Sequence, residues 1–155
     1  MAVRLARAKD IPTLVRFFEA LHREQQPYDA RAQPVPGAAK LFERELQEGL
    51  QGPYRALWLA LEAEEPVGFL HGLLVRRPPV WGEALMGFIQ ELYVEPAHRR
   101  RGHGRALVEA FCAWARTRGA HQVELNTLYR NPHSRAFWEA LGGEPFLVTY
   151  TLPLK

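Results

Sequence analysis

Gln90-Glu91-Leu92-Tyr93-Val94-Glu95-Pro96-Ala97-His98-Arg99-Arg100-Arg101-Gly102-His103-Gly104-Arg105 is the stretch where this chain changes from one periodicity to another. An extended, strand-like run stops at a proline. A basic turn follows and opens into an apolar-periodic helix over residues 102–118. A helix start carries backbone N–H groups without intrahelical partners and the positive end of the macrodipole, so it attracts anions. Gly102 and Gly104 let the main chain approach a ligand with no Cβ in the way. Arg99, Arg100, Arg101 and Arg105 add charge suited to phosphate. The segment therefore predicts a strand that runs into a phosphate-binding turn.

The elements around it set the fold class. Val3–Arg7 reads as a short strand. Asp10 stands at a helix cap, with Pro12 in the first turn and Ile11, Leu14, Val15, Phe18 and Leu21 at helical spacing. Pro27, Pro34, Pro36 and Gly37 mark a loop before a second helix over Ala38–Gly49. Tyr54–Glu62 and Pro66–Val75 predict a hairpin turning at Glu64-Glu65, and Arg76-Arg77-Pro78-Pro79 after it reads as a solvated tip or a contact for an acidic partner. Ala84–Val94 is a long strand, and His121–Leu128 is another beyond the 102–118 helix. Asn131-Pro132 starts a helix that Gly142-Gly143 stops, and Phe146–Leu152 closes as a strand. This order predicts one α/β domain over residues 1–155 with helices on both faces of a mixed sheet. The sheet is antiparallel early and parallel across the 102–118 crossover.

Composition narrows the function. The 155 residues are 47% hydrophobic and 24% charged, ordinary for a globular domain large enough to bury a core. No run approaches the roughly 18 unbroken apolar residues of a membrane span. The N-terminus shows no signal-peptide core, and the lone Cys112 excludes an intrachain disulfide, which together predict a reducing cytoplasm. The net charge of +3 is modest, and four arginines fall within residues 99–105, so the excess is local. The histidines lack ligand spacing and only one cysteine exists, so no metal site is expected.

Three phosphate motifs compete for the turn. A Walker-type loop requires Lys and Ser/Thr after its glycines, and neither is present. A dinucleotide fingerprint requires a third glycine where Leu107 stands. A nucleic-acid patch would interleave aromatic residues with the arginines. What remains, Arg99-x-x-Gly102-x-Gly104 directly after Leu92-Tyr93-Val94-x-Pro96, resembles the acetyl-CoA motif of the GNAT (Gcn5-related) N-acetyltransferase family. Asn131-Pro132-His133-Ser134-Arg135-Ala136-Phe137-Trp138-Glu139-Ala140-Leu141-Gly142 is similar to that family's second signature. The likeness is close over residues 84–145. It implies a GNAT fold, a central mixed and mostly antiparallel sheet of six to seven strands with about four helices.

The resemblance also implies the site. Backbone amides of Arg100, Arg101, Gly102, His103, Gly104 and Arg105 would cradle the CoA pyrophosphate beside Arg99, and Leu92, Tyr93 and Val94 would hold the pantetheine and thioester. Asn131 and Trp138 would complete the cofactor side. Acyl transfer to an amine needs an ammonium deprotonated, because an alkyl ammonium of pKa about 10.4 carries no lone pair. It also needs an oxyanion stabilised and the two reactants aligned. Glu91 is the candidate base, acting through water, although alternation lets only one of Gln90 and Glu91 face the acceptor and a bulge would decide which. Trp138 stands where the family often has a tyrosine that protonates the thiolate, and an indole N–H is no useful acid near neutrality. Tyr129, Tyr93 and His133 are the substitutes to consider. The loop Gln25–Pro36, with His22, Tyr28, Asp29 and Arg31, lies where the family builds its acceptor wall.

These residues predict an acetyl-CoA-dependent N-acetyltransferase that moves acetyl to a primary amine, of a small molecule or a protein, by direct attack in a ternary complex. A homodimer follows the family habit. Two rivals stay open. One is a non-catalytic acyl-CoA-binding or sensing domain, motivated by Trp138. The other is a nucleic-acid module built on the arginine cluster, whose binding would fall steeply with salt.

Overall fold

A computed structural model describes residues 2–155. Among them five strands, β1 Ala2–Leu5, β2 Arg55–Glu62, β3 Glu65–Arg76, β4 Leu85–Val94 and β5 Val123–Leu125, form one sheet in the order β1-β2-β3-β4-β5. The first four pair antiparallel, and β5 joins β4 in parallel. The helices are α1 Ile11–Gln25, α2 Ala38–Glu48, α3 His103–Thr117 and α4 Pro132–Ala140. The element order is the predicted one, except at the C-terminus.

Two apolar cores sandwich the sheet. Leu14 and Phe17 of α1 and Phe42 and Leu46 of α2 pack with Leu57, Leu59 and Phe69 on one face. Leu107 and Phe111 of α3 pack with Leu70, Leu74 and Ile89 on the other. Each helix presents its apolar stripe and leaves its charged face to water. The α3 stripe reaches the sheet because β3 has no side chain at Gly72, where a Cβ would stand 2.1 Å from the Phe111 ring. Asp10 occupies the position before α1 but does not cap it. Its carboxylate instead accepts the Arg7 N–H at 2.8 Å and pairs with Arg4, tying β1 to the start of the helix.

The decisive irregularity lies in β4. His71 pairs with Glu91 but Gly72 pairs with Ile89, so Gln90 is the extra residue of a bulge. Ile89 packs in the α3 core, whereas Tyr93 packs in the α1 and α2 core. The bulge therefore turns Glu91 onto the α1 and α2 face and leaves Gln90 in solvent.

Three expectations change. The sheet has five strands rather than six or seven, because Phe146–Leu152 finds no ladder within the chain and runs without regular structure. The strand expected over residues 121–128 pairs only at Val123–Leu125, since it diverges from β4 at the bulge. At Arg77 the solvated-tip reading gives way to the acidic contact: its guanidinium bonds the Glu124 carboxylate and links the end of β3 to β5.

Candidate active site

β4 and β5 pair from Gly87 opposite Val123 to Ile89 opposite Leu125, and no further. Beyond the bulge, Glu91–Val94 has lost β5 as a neighbour, so the two strands open into a V. On that edge the main-chain groups of Leu92 and Val94, with the Val94 carbonyl already accepting from Arg99, can pair with an extended ligand in the manner of an added strand. Leu92 and Val94 point into the α3 core. Tyr93 points the other way, its ring 5.7 Å from Phe17, and burial pushes its phenol above the ordinary tyrosine range. In the antiparallel register its main chain bonds Phe69 of β3, so Tyr93 offers the open edge neither its ring nor its backbone.

Glu91 lies at the head of the V, 8% exposed. His71 of β3 reaches it directly, Nδ1 to Oε1 at 3.2 Å, and is itself 3% exposed. Phe42 of α2 lies 6.1 Å from the His71 ring, and His22 of α1 packs edge-on to Phe18 at 4.4 Å. Burial pushes the His22 imidazole below its usual range, while the Glu91 charge pulls the other way. Both His71 Nε2 and His22 Nδ1 are buried without a protein partner.

The turn after β4 has the geometry of an anion cradle. Pro96–His98 forms a single turn of 3-10 helix. Arg100 (φ 63°) and Gly102 (φ 89°) then adopt left-handed conformations that swing the chain into α3. For Gly102 that conformation is free, whereas for Arg100 it costs roughly 1–2 kcal/mol, strain of a kind that clusters at ligand sites. The first main-chain bond of α3 runs from the Ala106 N–H to the Gly102 carbonyl at 3.0 Å, leaving the amides ahead of it open. Gly104 serves packing as well: a Cβ there would meet the Phe137 ring of α4 at 3.0 Å.

The four arginines are not equivalent. Arg99 donates to the Val94 carbonyl at 2.8 Å, pairs with Glu24 of α1 at 2.5 Å and stacks over the Tyr93 ring. Arg101 pairs with Glu62 at 2.8 Å. Glu62, at the end of β2, also holds His103 at 3.1 Å and His98 at 2.6 Å, so one carboxylate ties the turn at three points. Those bonds, with His103 first and Arg101 next, hold the Glu62 carboxyl down at about 2. Arg100 and Arg105 stay exposed, and Arg105 has only a 3.9 Å contact with Glu109.

On the α4 side, Asn131 is committed to its helix, its Oδ1 accepting the Ser134 N–H at 3.1 Å. Trp138 packs edge-on against Phe137 and against the α3 core. Tyr129 and His133 are exposed, and Arg135 covers the Tyr129 ring. In the loop before α2, Asp29 is bound by Arg31 and approached by Arg130, which hold its carboxyl well below the usual range. Cys112 is half-buried, and that burial raises its thiol. Sequence reading misses His71 and Glu62. The signal for His71 was a lone polar residue inside the apolar run Phe69-Leu70-His71-Gly72-Leu73-Leu74, whereas Glu62 had none.

A mixed sheet whose one parallel pair splays apart, with an open helix start directly beyond it, leaves a strand edge and several backbone N–H groups without partners on the same side of the molecule. The sequence matches the Acetyltransferase (GNAT) family over residues 16–143, and the chain belongs to that family of acyltransferases. It is 31% identical over 116 residues to the aminoglycoside N(6')-acetyltransferase type 1 of Stenotrophomonas maltophilia, covering 72% of this chain and 75% of that protein. A mutant of the BH1408 protein from Bacillus halodurans has the same fold, with a TM-score of 0.88, 22% identity and full coverage of both chains. AAC(6')-Iy, solved with a bisubstrate analog of CoA and acetylneamine, superposes with a TM-score of 0.75 at 18% identity, over 99% of this chain and 98% of its own.

Proposed function

We propose that this chain is an acetyl-CoA-dependent N-acetyltransferase, a single domain over residues 1–155 that acetylates a primary amine by direct attack within a ternary complex. The observation that carries the reading is the bulge at Gln90, which opens β4 from β5 and turns a buried carboxylate, Glu91, onto the face covered by α1 and α2 at the same point. The residues fit the CoA group. Open amides across Gly102–Arg105 and the strained Arg100 suit a pyrophosphate, and the free-edge main-chain groups of Leu92 and the Val94 N–H suit the pantetheine arm. When bound, acetyl-CoA supplies an acetyl group already activated as a thioester. The chain does the rest: Glu91 takes the ammonium proton, directly or through one water, and main-chain N–H groups along β4 orient the acyl group.

Trp138 gives no acid, so a thiolate proton comes from water in this reading. A small-molecule amine of the aminoglycoside class is the first acceptor to test, because the relative at 31% identity is named for that activity. A cytoplasmic setting and a homodimer belong to the same reading.

The test is a thermal shift with CoA and acetyl-CoA, followed by thiol release over an amine panel. Ligand at 100 times its Kd should stabilise by about 2.7 kcal/mol. Glu91→Gln should bind CoA normally and lose about 100-fold or more in kcat. Absence of a shift with either CoA form removes the cofactor claim, and normal turnover by Glu91→Gln removes the base.

A further inference from the structure

Resting on the acetyltransferase reading, a second residue belongs to the catalytic apparatus. Glu91 and His71 face one another across β3 and β4 at the one place where their ladder slips. Both are almost fully buried, and their 3.2 Å contact joins them on the face covered by α1 and α2. An ionised carboxylate only accepts hydrogen bonds, so the proton of this contact sits on His71 Nδ1. The His71 Nε2 has no partner, and neither does Nδ1 of His22 nearby. Buried polar atoms without partners are rare because each one costs free energy. An aliphatic residue at position 71 would avoid that cost and pack well against Phe42. The imidazole is therefore kept for what its other nitrogen does.

We propose that His71 is a positioning residue for the acetyl transfer: its Nδ1–H anchors Oε1 of Glu91 and leaves Oε2 as the oxygen presented to the acceptor amine. A glutamate side chain has three rotatable bonds, and an unanchored carboxylate in this pocket would sample rotamers that turn away from the V. In the reaction the ammonium would give one proton to Oε2, and the freed amine lone pair would bond the acyl carbon as the C–S bond breaks and the CoA thiolate leaves. The second proton of that nitrogen would pass to water, as would the one Glu91 captured, while His71 keeps its own proton throughout. The anchor works by geometry, so it affects the chemical step and leaves CoA binding alone.

Two substitutions test the assignment. His71→Asn keeps an N–H close to the Nδ1 position, whereas His71→Leu keeps bulk and removes the donor. The expected result is a loss of about tenfold or more in kcat for His71→Leu, an unchanged Kd for CoA, and recovery of most of the activity in His71→Asn. Nitrogen NMR of the histidine rings in the ligand-free protein should find His71 as the Nδ1–H tautomer. A merely structural role would lower the melting temperature of both variants and leave kcat per folded molecule intact, which would overturn the proposal. So would an Nε2–H tautomer, or an Asn variant no better than Leu. If His71→Leu does not fold, His71→Gln, which moves the N–H outward, takes its place with the same expected loss. Wild-type protein that turns over no amine removes the acetyltransferase reading itself, and the ring tautomer then decides the His71–Glu91 contact alone.

Discussion

Gly72 shows how much of this site hangs on single positions. It adjoins the bulge, and its missing side chain is what lets Phe111 lie flat on β3 with no exposed surface of its own. Gly72→Ala should destabilise the protein by about 1–3 kcal/mol, the usual cost of overpacking. A chemical denaturation midpoint that falls at constant slope would show it, and an unmoved midpoint would mean that the Phe111 ring has room to retreat. The same neighbourhood marks the limit of sequence reading. Glu91 is recognisable as an acidic residue just before a ligand-binding strand, but alternation cannot tell which face it takes, because a bulge shifts the count without changing composition. The arginines pose the opposite problem. All four look like phosphate ligands in sequence, yet Arg99 and Arg101 are spent on Glu24 and Glu62, which lie 75 and 39 residues away. Pairings at that range leave no local trace.

Between β4 and α3, Glu62 acts on the whole turn by holding His103, Arg101 and His98. A carboxyl depressed to about 2 in the folded state, against about 4.3 when unfolded, contributes stability that is complete above the unfolded value. That stability is lost as pH falls through the folded one. Wild-type stability should therefore drop more steeply between about pH 4.5 and pH 2 than that of Glu62→Gln, measured by thermal melts across that window. Parallel curves would mean that the pin carries no charge-dependent stability. The same division of labour predicts two classes of arginine variant. Arg100→Ala and Arg105→Ala should weaken CoA binding by about tenfold each, the value of one charge-assisted bond, with an unchanged melting temperature. Arg101→Ala should lower the melting temperature first, and equal effects from all three would refute the distinction. Element existence was largely legible, since helix caps, the hairpin and the crossover order all follow from local pattern. Element extent was less so: the strand after α3 was read eight residues long from its apolar content, but a strand lasts only as long as its neighbour stays beside it.

For the whole molecule, the unfinished edge of the sheet is the main energetic problem. β5 is outermost, three residues long, and bonded only to β4. Beyond α4 the chain carries Phe146, Leu147, Val148, Tyr150, Leu152 and Leu154 in solvent, with Tyr150 86% exposed. Among the described residues its side chains bond the body only where Arg31 donates to the Thr151 hydroxyl at 2.9 Å. Apolar surface left in water forgoes about 25 cal/mol per Å², and a contiguous patch of it marks a place where something docks. The strand expected over residues 146–152 does not form, and among the described residues that segment has no strand beside it. A second copy would supply one, because an open edge and an apolar extended segment on each chain are complementary under a two-fold axis. Light scattering should therefore give twice the 17.7 kDa chain mass at micromolar concentration. Val148→Pro combined with Tyr150→Lys, which removes a ladder donor and adds charge, should give a monomer with an unchanged circular dichroism spectrum. A wild-type monomer throughout that range would mean that the segment meets no second copy, and its apolar residues would then be a plain cost to solubility.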